Sequence, residues 1–186
     1  MYISDPNYER KSFIKIGEIY FWTATINNWN HLLKGHEYKK IIIDSLRNLS
    51  ERALIDVFAF VIMPNHIHLI WRTNSLNGKE TVQGSFLKYT AHQFKNLLRD
   101  DPDQLSKYAV AAANKQYEFW QRDSLAVKLY TRPVMLQKLH YIHMNPLAPH
   151  WQLAIDPTAY FWSSAKFYEN EKSDFDFLKN IWEEFG

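Results

Sequence analysis

Hydrophobic and polar positions repeat with two different periods along the first half of the chain. Residues 17–26 alternate through Ile, Phe and Thr on one side and Tyr, Trp and Ala on the other, which predicts a strand apolar on both faces. Residues 36–53 carry apolar side chains at helical spacing between charges, which predicts an amphipathic helix. A near-continuous apolar run at 56–63, a Pro64-Asn65 turn and the segment 66–73 predict a β-hairpin.

The second half of the chain shows a second and a third helical pattern with weaker segments between them. Helical spacing returns over residues 79–100, whereas residues 101–116 follow neither period. Residues 117–131 contain two short apolar stretches, which indicate two strands or one strand and an extended loop. Thr131 is then expected to cap a helix that continues until Pro146 stops it.

The predicted order of elements defines the fold class. It is β-α-β-β-α-β with one more helix, which is typical of an α+β, ferredoxin-like antiparallel sheet with helices on one face. The additional C-terminal helix carries Tyr141. We expect residues 1–168 to form a single domain and the acidic residues 169–186 to form a helical extension packed through its apolar side chains.

Composition narrows the possible chemistry. The chain has no cysteine, so thiol nucleophiles, disulfides and cysteine-bound zinc are excluded. Its apolar runs are too short for a membrane span and its first residues are polar, so we expect a cytoplasmic protein with no membrane partner. The net charge of +2 combines an acidic tail with residues 1–168, which hold 20 basic and 14 acidic side chains. A basic body rich in aromatic rings suits a nucleic-acid partner, although it also fits an ordinary surface and core.

Two histidines form the first candidate site. His66 and His68 are two residues apart on a predicted strand, so both side chains leave the same face. At this separation two imidazoles can share one metal ion, whereas Ile67 and Leu69 are expected to face the helix-covered core. Taken by itself, a lone pair of this kind is more typical of the exposed face of a half-buried strand than of a metal site.

The last predicted helix supplies a second candidate group. Tyr141 and Asn145 are four residues apart and Lys138 is three residues before Tyr141, so the three project from one side of the helix. A phenol beside an amide could place a nucleophile next to a metal ligand. The opposite side of the helix, expected to pack on the sheet, consists of Leu136, Leu139 and Ile142.

Together these segments resemble a known family. The strings VIMPNHIHLIW and YIHMNPL are similar to the two signature segments of the HUH-type single-tyrosine transposases of bacterial insertion sequences. The Tyr-x-x-x-Asn-Pro form resembles the REP-associated tyrosine transposase branch. Further similarity lies in YFWTATI, in Phe119 to Gln121 and in Phe161 to Ser164, so the resemblance spans most of residues 17–168.

The resemblance implies an activity and a set of roles. It implies a metal-dependent endonuclease and strand transferase that cleaves single-stranded DNA near hairpin or palindromic repeats through a 5′-phosphotyrosine intermediate. Tyr141 matches the nucleophile, and His66, His68 and Asn145 match the ligands of a divalent ion, Mg²⁺ or Mn²⁺. In the shorter insertion-sequence branch the third ligand is usually Gln. Both a monomer and a homodimer are compatible with the family.

Further residues are candidates for contacts with phosphate or DNA. They are chosen for positive charge or for an aromatic face, and are Lys138, Lys88, Lys95, Arg99 and Trp120. Two other classes of function remain open. One is a non-catalytic module, derived from a transposase, that binds single-stranded DNA hairpins. The other is a hydrolytic metallo-phosphoesterase in which water attacks and Tyr141 is structural.

Overall fold

The elements follow the predicted order, with a small hairpin and two short helices in addition. The computed structural model describes residues 13–113, 115–170 and 173–185. Along the chain these residues form β1 (Ile19–Thr25), α1 (His36–Glu51), β2 (Ile55–Ile62), β3 (His66–Thr73), α2 (Val82–Leu97), α3 (Pro102–Ser106), β4 (Ala109–Ala112), β5 (Lys115–Tyr117), β6 (Leu125–Lys128), α4 (Arg132–Met144) and α5 (Ala165–Asn170).

Four strands form one antiparallel sheet with the spatial order β2-β3-β1-β6. This is the order expected when two β-α-β halves interleave, so the predicted α+β class is confirmed. β1 and β3 lie in the centre, where His66 pairs with Thr25 and His68 with Thr23. Both histidines therefore lie on a central strand that is hydrogen-bonded to a neighbouring strand on each side.

One face of the sheet is covered by α1 and α2. Side chains from this face and the two helices form the larger apolar cluster of the described residues. Trp22 and Trp71 are stacked there with ring centroids 4.9 Å apart, and neither is exposed to solvent. Ile67 and Leu69 point into the same cluster, as predicted for the residues that alternate with the histidines.

The other face is covered by α4, which carries Tyr141. Met135, Leu139 and Ile142 bury the inner side of this helix against the sheet. Leu136 was expected at this contact, but it is 42% exposed. The reason is geometric: Met135, Leu139 and Ile142 follow a spacing of four and three residues, whereas Leu136 is turned roughly 100° away from Met135.

Residues 101–128, which were only partly assigned, form short elements of their own. α3 begins with Pro102 in its first turn and is capped by Asp101. β4 and β5 pair in a separate two-stranded hairpin, and β6 alone joins the main sheet. Within the described part of the chain, no helix is long and apolar enough to span a membrane.

The C-terminal extension differs from the predicted helix. Residues 173–180 contain no helix, and the only helical turn in residues 173–185 is a 3-10 turn at Ile181–Glu183. Phe175 and Phe177 are buried on either side of exposed Asp176, and the chain turns at Asp176 and Phe177. The segment pairs with β2 at Val57, whose carbonyl accepts a bond from the Lys179 amide at 2.9 Å. Glu171, Lys172 and Gly186 of this extension lie outside the described residues.

Candidate active site

The two histidines lie side by side on the α4 face of β3. Their ring centroids are 4.6 Å apart, and the residues are 8% and 5% exposed. His68 is stacked against Phe21 from the neighbouring strand, with centroids 5.1 Å apart. The pair is therefore buried and fixed in position, unlike histidines on a solvated strand face.

A hydrogen bond orients each imidazole through its Nδ1 atom. Nδ1 of His66 lies 2.6 Å from Oδ1 of Asn65, an acceptor, so the histidine donates this bond. Nδ1 of His68 lies 2.7 Å from the hydroxyl of Thr23. When each Nδ1 donates, each Nε2 carries a free lone pair, as in histidines that bind metals. Nε2 of His68 is buried and has no hydrogen-bond partner among the described residues.

Burial also determines the charge of the pair. Loss of hydration lowers the pKa of His66 to about 4, and the charge of nearby His150 adds to this effect. Burial lowers the pKa of His68 well below its ordinary value, assisted by the charges of His66 and Lys138. Both imidazoles are therefore neutral near pH 7, which is the form that coordinates a metal.

α4 brings the phenol and the amide to the same place. The Tyr141 ring centroid lies 5.2 Å from that of His68 and 5.9 Å from that of Phe21. Tyr141 is 48% exposed, so its hydroxyl is accessible to a large substrate. Asn145, at the end of α4, is 9% exposed and lines the same cavity as both histidines. Residues more than 70 positions apart in the chain thus form one site.

The donor set fits a divalent metal ion. Two neutral imidazoles and an amide oxygen are ligands that Mn²⁺ accepts, and Mg²⁺ accepts the amide together with water and phosphate oxygens. The orphaned Nε2 of His68 supports this fit, because a buried polar atom without a partner is costly. Within the part of the chain that the structure describes, no group of three or more His, Cys, Asp or Glu side chains could hold a metal instead.

The site opens into a cavity of about 630 Å³. Its walls include residues that sequence patterns did not single out, namely Thr23, Thr25, Trp29, Asn65, Met144, Ala148, His150 and Trp151. Asn65 could have been found, since it directly precedes His66. Trp29 lies in a short 3-10 turn and Trp151 in another turn, and both are too short for a period to indicate which side a residue faces.

Comparison with known proteins locates this arrangement among solved folds. No protein-family profile and no curated protein sequence matches the chain. Among solved structures, a REP-associated tyrosine transposase bound to a REP hairpin aligns with a TM-score of 0.60 and 16% identity, over 94% of this chain and 93% of that chain. This chain has the fold of a REP-associated tyrosine transposase. The resemblance in the sequence is thereby confirmed at the level of the fold.

A second solved structure is less similar. It is a provisionally assigned transposase from Deinococcus radiodurans R1, with a TM-score of 0.40 and 14% identity over 73% of this chain and 95% of that chain.

The transposase fold places the candidate DNA-binding residues in three different surroundings. Lys138 lies beside the site, with its Nζ atom 4.8 Å from the Phe21 ring centroid, and partial burial lowers its pKa. Lys88 and Lys95 lie on α2, which covers the opposite face of the sheet, and Arg99 lies in the turn directly after this helix. Trp120 was expected to stack on bases, but it is only 6% exposed and its Nε1 donates to Thr90 at 2.9 Å. Its ring is part of the core, because the backbone of Trp120 pairs with Ile26, directly after the end of β1.

Proposed function

We propose that this chain is a metal-dependent enzyme that nicks and rejoins single-stranded DNA near hairpins, with Tyr141 as the nucleophile. One observation carries the proposal: an exposed phenol lies 5.2 Å, ring to ring, from a buried neutral imidazole whose Nε2 has no partner among the described residues. Such a site would present a nucleophile and metal ligands to one DNA phosphate in the cavity. The solved relative of this fold was bound to a REP hairpin, which supports hairpin DNA as the partner.

The reaction would proceed by in-line displacement at a backbone phosphate. The Tyr141 oxygen forms a bond to phosphorus while the bond from phosphorus to the 3′ oxygen breaks. The phenol loses its proton and the departing 3′ oxygen gains one, so a 5′-phosphotyrosine and a free 3′-hydroxyl result. A phenol is a good leaving group compared with an alcohol, so the 3′-hydroxyl of the same or another strand can reverse the step without a nucleotide triphosphate.

The residues of this chain supply position more than acid-base power. His66, His68 and Asn145 would hold the divalent ion, which supplies charge that polarises the phosphate. Asn65 and Thr23 fix the two imidazole rings through their Nδ1 atoms. Phe21 supports His68 and Tyr141 together, since it contacts both rings. The ammonium group of Lys138 would add attraction for the DNA backbone at the entrance.

One copy of the chain can carry the whole site. Tyr141 of α4 already lies against His68 of the same chain. No exchange of helices between two copies is needed to complete the arrangement. This favours a monomer that acts with its own tyrosine over a homodimer with exchanged tyrosine helices.

A search for a covalent adduct tests the proposal. Labelled single-stranded DNA with a hairpin from the flanking genomic sequence is incubated with protein and Mg²⁺ or Mn²⁺, and the products are separated on a denaturing gel. We expect an adduct that disappears with chelator and with Tyr141→Phe, a loss of at least about a thousandfold. Tyr130→Phe is the matched control, because Tyr130 is 70% exposed and lies before α4, outside the cavity.

Two results would contradict the proposal. Cleavage that persists in Tyr141→Phe without an adduct would assign the site to a hydrolase that activates water. Tight hairpin binding with neither cleavage nor adduct, in the presence of either metal, would identify a non-catalytic binding module.

A further inference from the structure

The cavity is larger than the phosphate chemistry requires. Its volume of about 630 Å³ lies within the range of about 300–1,000 Å³ that is typical of sites for whole ligands. His66, His68, Tyr141 and Asn145 account for one part of its wall. The remaining wall contains two indole rings, those of Trp29 and Trp151, which the proposed chemistry does not use.

Trp29 is held outward by an unusual backbone. It is 60% exposed, although tryptophan is among the largest apolar side chains. Its φ of 56° and the φ of 54° at Asn28 both lie in the left-handed region. A bulky residue rarely adopts this conformation, and strained positions of this kind concentrate at ligand sites.

Hydrogen bonds from neighbouring elements maintain this conformation. The Trp29 amide donates to the Ile26 carbonyl at 3.0 Å, and the Ile26 amide donates to the Asn65 carbonyl at 2.8 Å. Nδ2 of Asn65 donates to the Trp29 carbonyl at 3.3 Å. The left-handed turn is thus tied to the start of β3.

A single amide side chain links the indole to the histidine pair. Oδ1 of Asn65 accepts the bond from His66, while its Nδ2 binds the backbone of Trp29. Asn65 is only 5% exposed, so its bond to His66 is shielded from water, whereas its bond to Trp29 is partly buried. The position of Trp29 relative to His66 is therefore fixed by one rigid group.

Trp151 extends the aromatic wall from the other side. Its ring centroid lies 6.0 Å from that of His66. It also lies 5.6 Å from the ring centroid of His31, which belongs to the same loop as Trp29. The loop after β1 and the segment after α4 therefore meet beside the histidines.

We propose that Trp29 and Trp151 form a stacking subsite for an unpaired nucleobase of the nucleotide next to the scissile phosphate. The inference rests on the proposed function, because the phosphate position is set by Tyr141 and the histidines. A DNA strand whose phosphate lies there must continue along the cavity wall, and the next flat group it offers is a base. Aromatic faces bind any base by stacking, so this subsite selects an unpaired strand more than a sequence.

The subsite gives a physical reason for single-strand specificity. In a duplex both faces of a base are covered by its neighbours, so stacking on an indole requires an unstacked base. A nicking site next to a hairpin provides such a base, whereas the hairpin stem does not. Cleavage would then be confined to the unpaired flank of the stem.

Fluorescence of 2-aminopurine tests the subsite without requiring catalysis. The base analogue is placed at successive positions around the cleavage site, and binding is measured with Tyr141→Phe protein, in which no strand is cut. We expect one position at which stacking quenches the fluorescence. Adding Trp29→Leu should remove the quenching and weaken binding about 10- to 100-fold, whereas Trp29→Phe should largely preserve both.

Two controls make the result specific. An abasic nucleotide at the quenched position should weaken binding to the parent protein, and Trp29→Leu should then have no further effect. Trp182→Ala removes another partly exposed tryptophan outside the cavity and should change neither signal.

Equal quenching and affinity in Trp29→Leu at every position would overturn the inference, and so would an additive loss with the abasic nucleotide. Neither result depends on the Tyr141 adduct. Failure of the subsite is therefore distinguishable from failure of the proposed function.

Discussion

The two faces of the sheet are built from the same strands but have opposite characters. On β3, Ile67 and Leu69 face α1 and α2 in an apolar cluster, whereas His66 and His68 face α4. On β1, Trp22 is fully buried in the cluster and its neighbour Phe21 supports His68 and Tyr141. One face therefore stabilises the domain, and the other presents polar groups beside an open cavity.

The comparison shows how buried polar groups are maintained at a site. The α1 and α2 face contributes apolar burial, which dominates folding free energy. The α4 face keeps two histidines in a largely apolar setting, where each Nδ1 has a hydrogen-bond partner and both residues line the cavity. Because successive residues of a strand face opposite sides of the sheet, neighbouring residues of β3 belong either to the apolar cluster or to the candidate site.

The sharpest way to test this division is a pair of neighbouring substitutions. Trp22→Ala and Phe21→Ala each remove a buried ring and should each lower the free energy of unfolding by about 3–5 kcal/mol. Only Phe21→Ala should also slow adduct formation per folded molecule, by about 100-fold, because His68 and Tyr141 lose a shared support. Urea unfolding and the denaturing-gel assay measure the two effects. Equal activity per folded molecule would mean that Phe21 belongs only to the core.

Low pH should destabilise the protein mainly by protonating buried histidines on the α4 side of the sheet. Burial lowers the pKa values of His66 and His143 to about 4, whereas in the unfolded chain histidine titrates near 6.5. The unfolded state therefore binds more protons between these values. Stability is complete above about pH 6.5 and falls as the pH drops toward 4, by roughly 2–3 kcal/mol per histidine.

Urea unfolding in chelator across pH 4–8 measures this dependence. His66→Gln should flatten part of the acid slope, and His92→Gln, an exposed residue of α2, is the control. An unchanged slope in His66→Gln would place the acid sensitivity elsewhere.

The hydroxyl beside His68 should matter for metal affinity more than for stability. Thr23→Val preserves shape but removes the Oγ1 that lies 2.7 Å from Nδ1 of His68. We expect Mn²⁺ to bind about 10- to 100-fold more weakly, as for other partners of metal-binding histidines. Thr25→Val is the matched control on the same strand and face, and calorimetric titration is the measurement. Equal affinity in both variants would argue against Nε2 of His68 as a ligand.

The smallest expected effect concerns the path of the DNA. Lys138→Ala should lower the slope of the logarithm of hairpin affinity against the logarithm of salt concentration by about one. Lys88→Ala, on α2 across the sheet, should leave the slope unchanged if the DNA stays on the α4 face. An equal loss for Lys88 would mean that the DNA also contacts α2, as predicted from the sequence for Lys88.

The strongly periodic elements could be predicted from the sequence. α4 begins at Arg132 as expected, because Thr131 caps it by accepting a bond from the Val134 amide. The contact side of α4 could not be predicted in full, since Met135 and Leu136 are both apolar and only the position of the sheet separates them. The extension was misassigned because its phenylalanines reach the core from a segment that turns and then pairs with β2, although its composition resembles a helix.

The residues of the candidate site were predicted from short sequence motifs more than from hydrophobic periodicity. His66 and His68 share a face by the pleat of the strand, and Tyr141 and Asn145 share one by the turn of the helix. Whether β3 and α4 meet depends on packing. The resemblance suggested that they do, and in the structure residues from both elements line one cavity. The link between Asn65 and Trp29 could not be predicted, because it exists only through a left-handed turn and a contact across 36 residues.

The pairing of the C-terminal segment with β2 has a consequence for handling the protein. β2 is an outer strand, and its free side is met by Val61 pairing with Ser163 and Val57 pairing with Leu178. A chain shortened after Tyr168 would lose the second of these contacts and uncover an apolar strand edge. Such edges recruit strands from other molecules, so we expect the shortened protein to aggregate. On this expectation, the C-terminal segment protects the edge of β2 from pairing with other molecules.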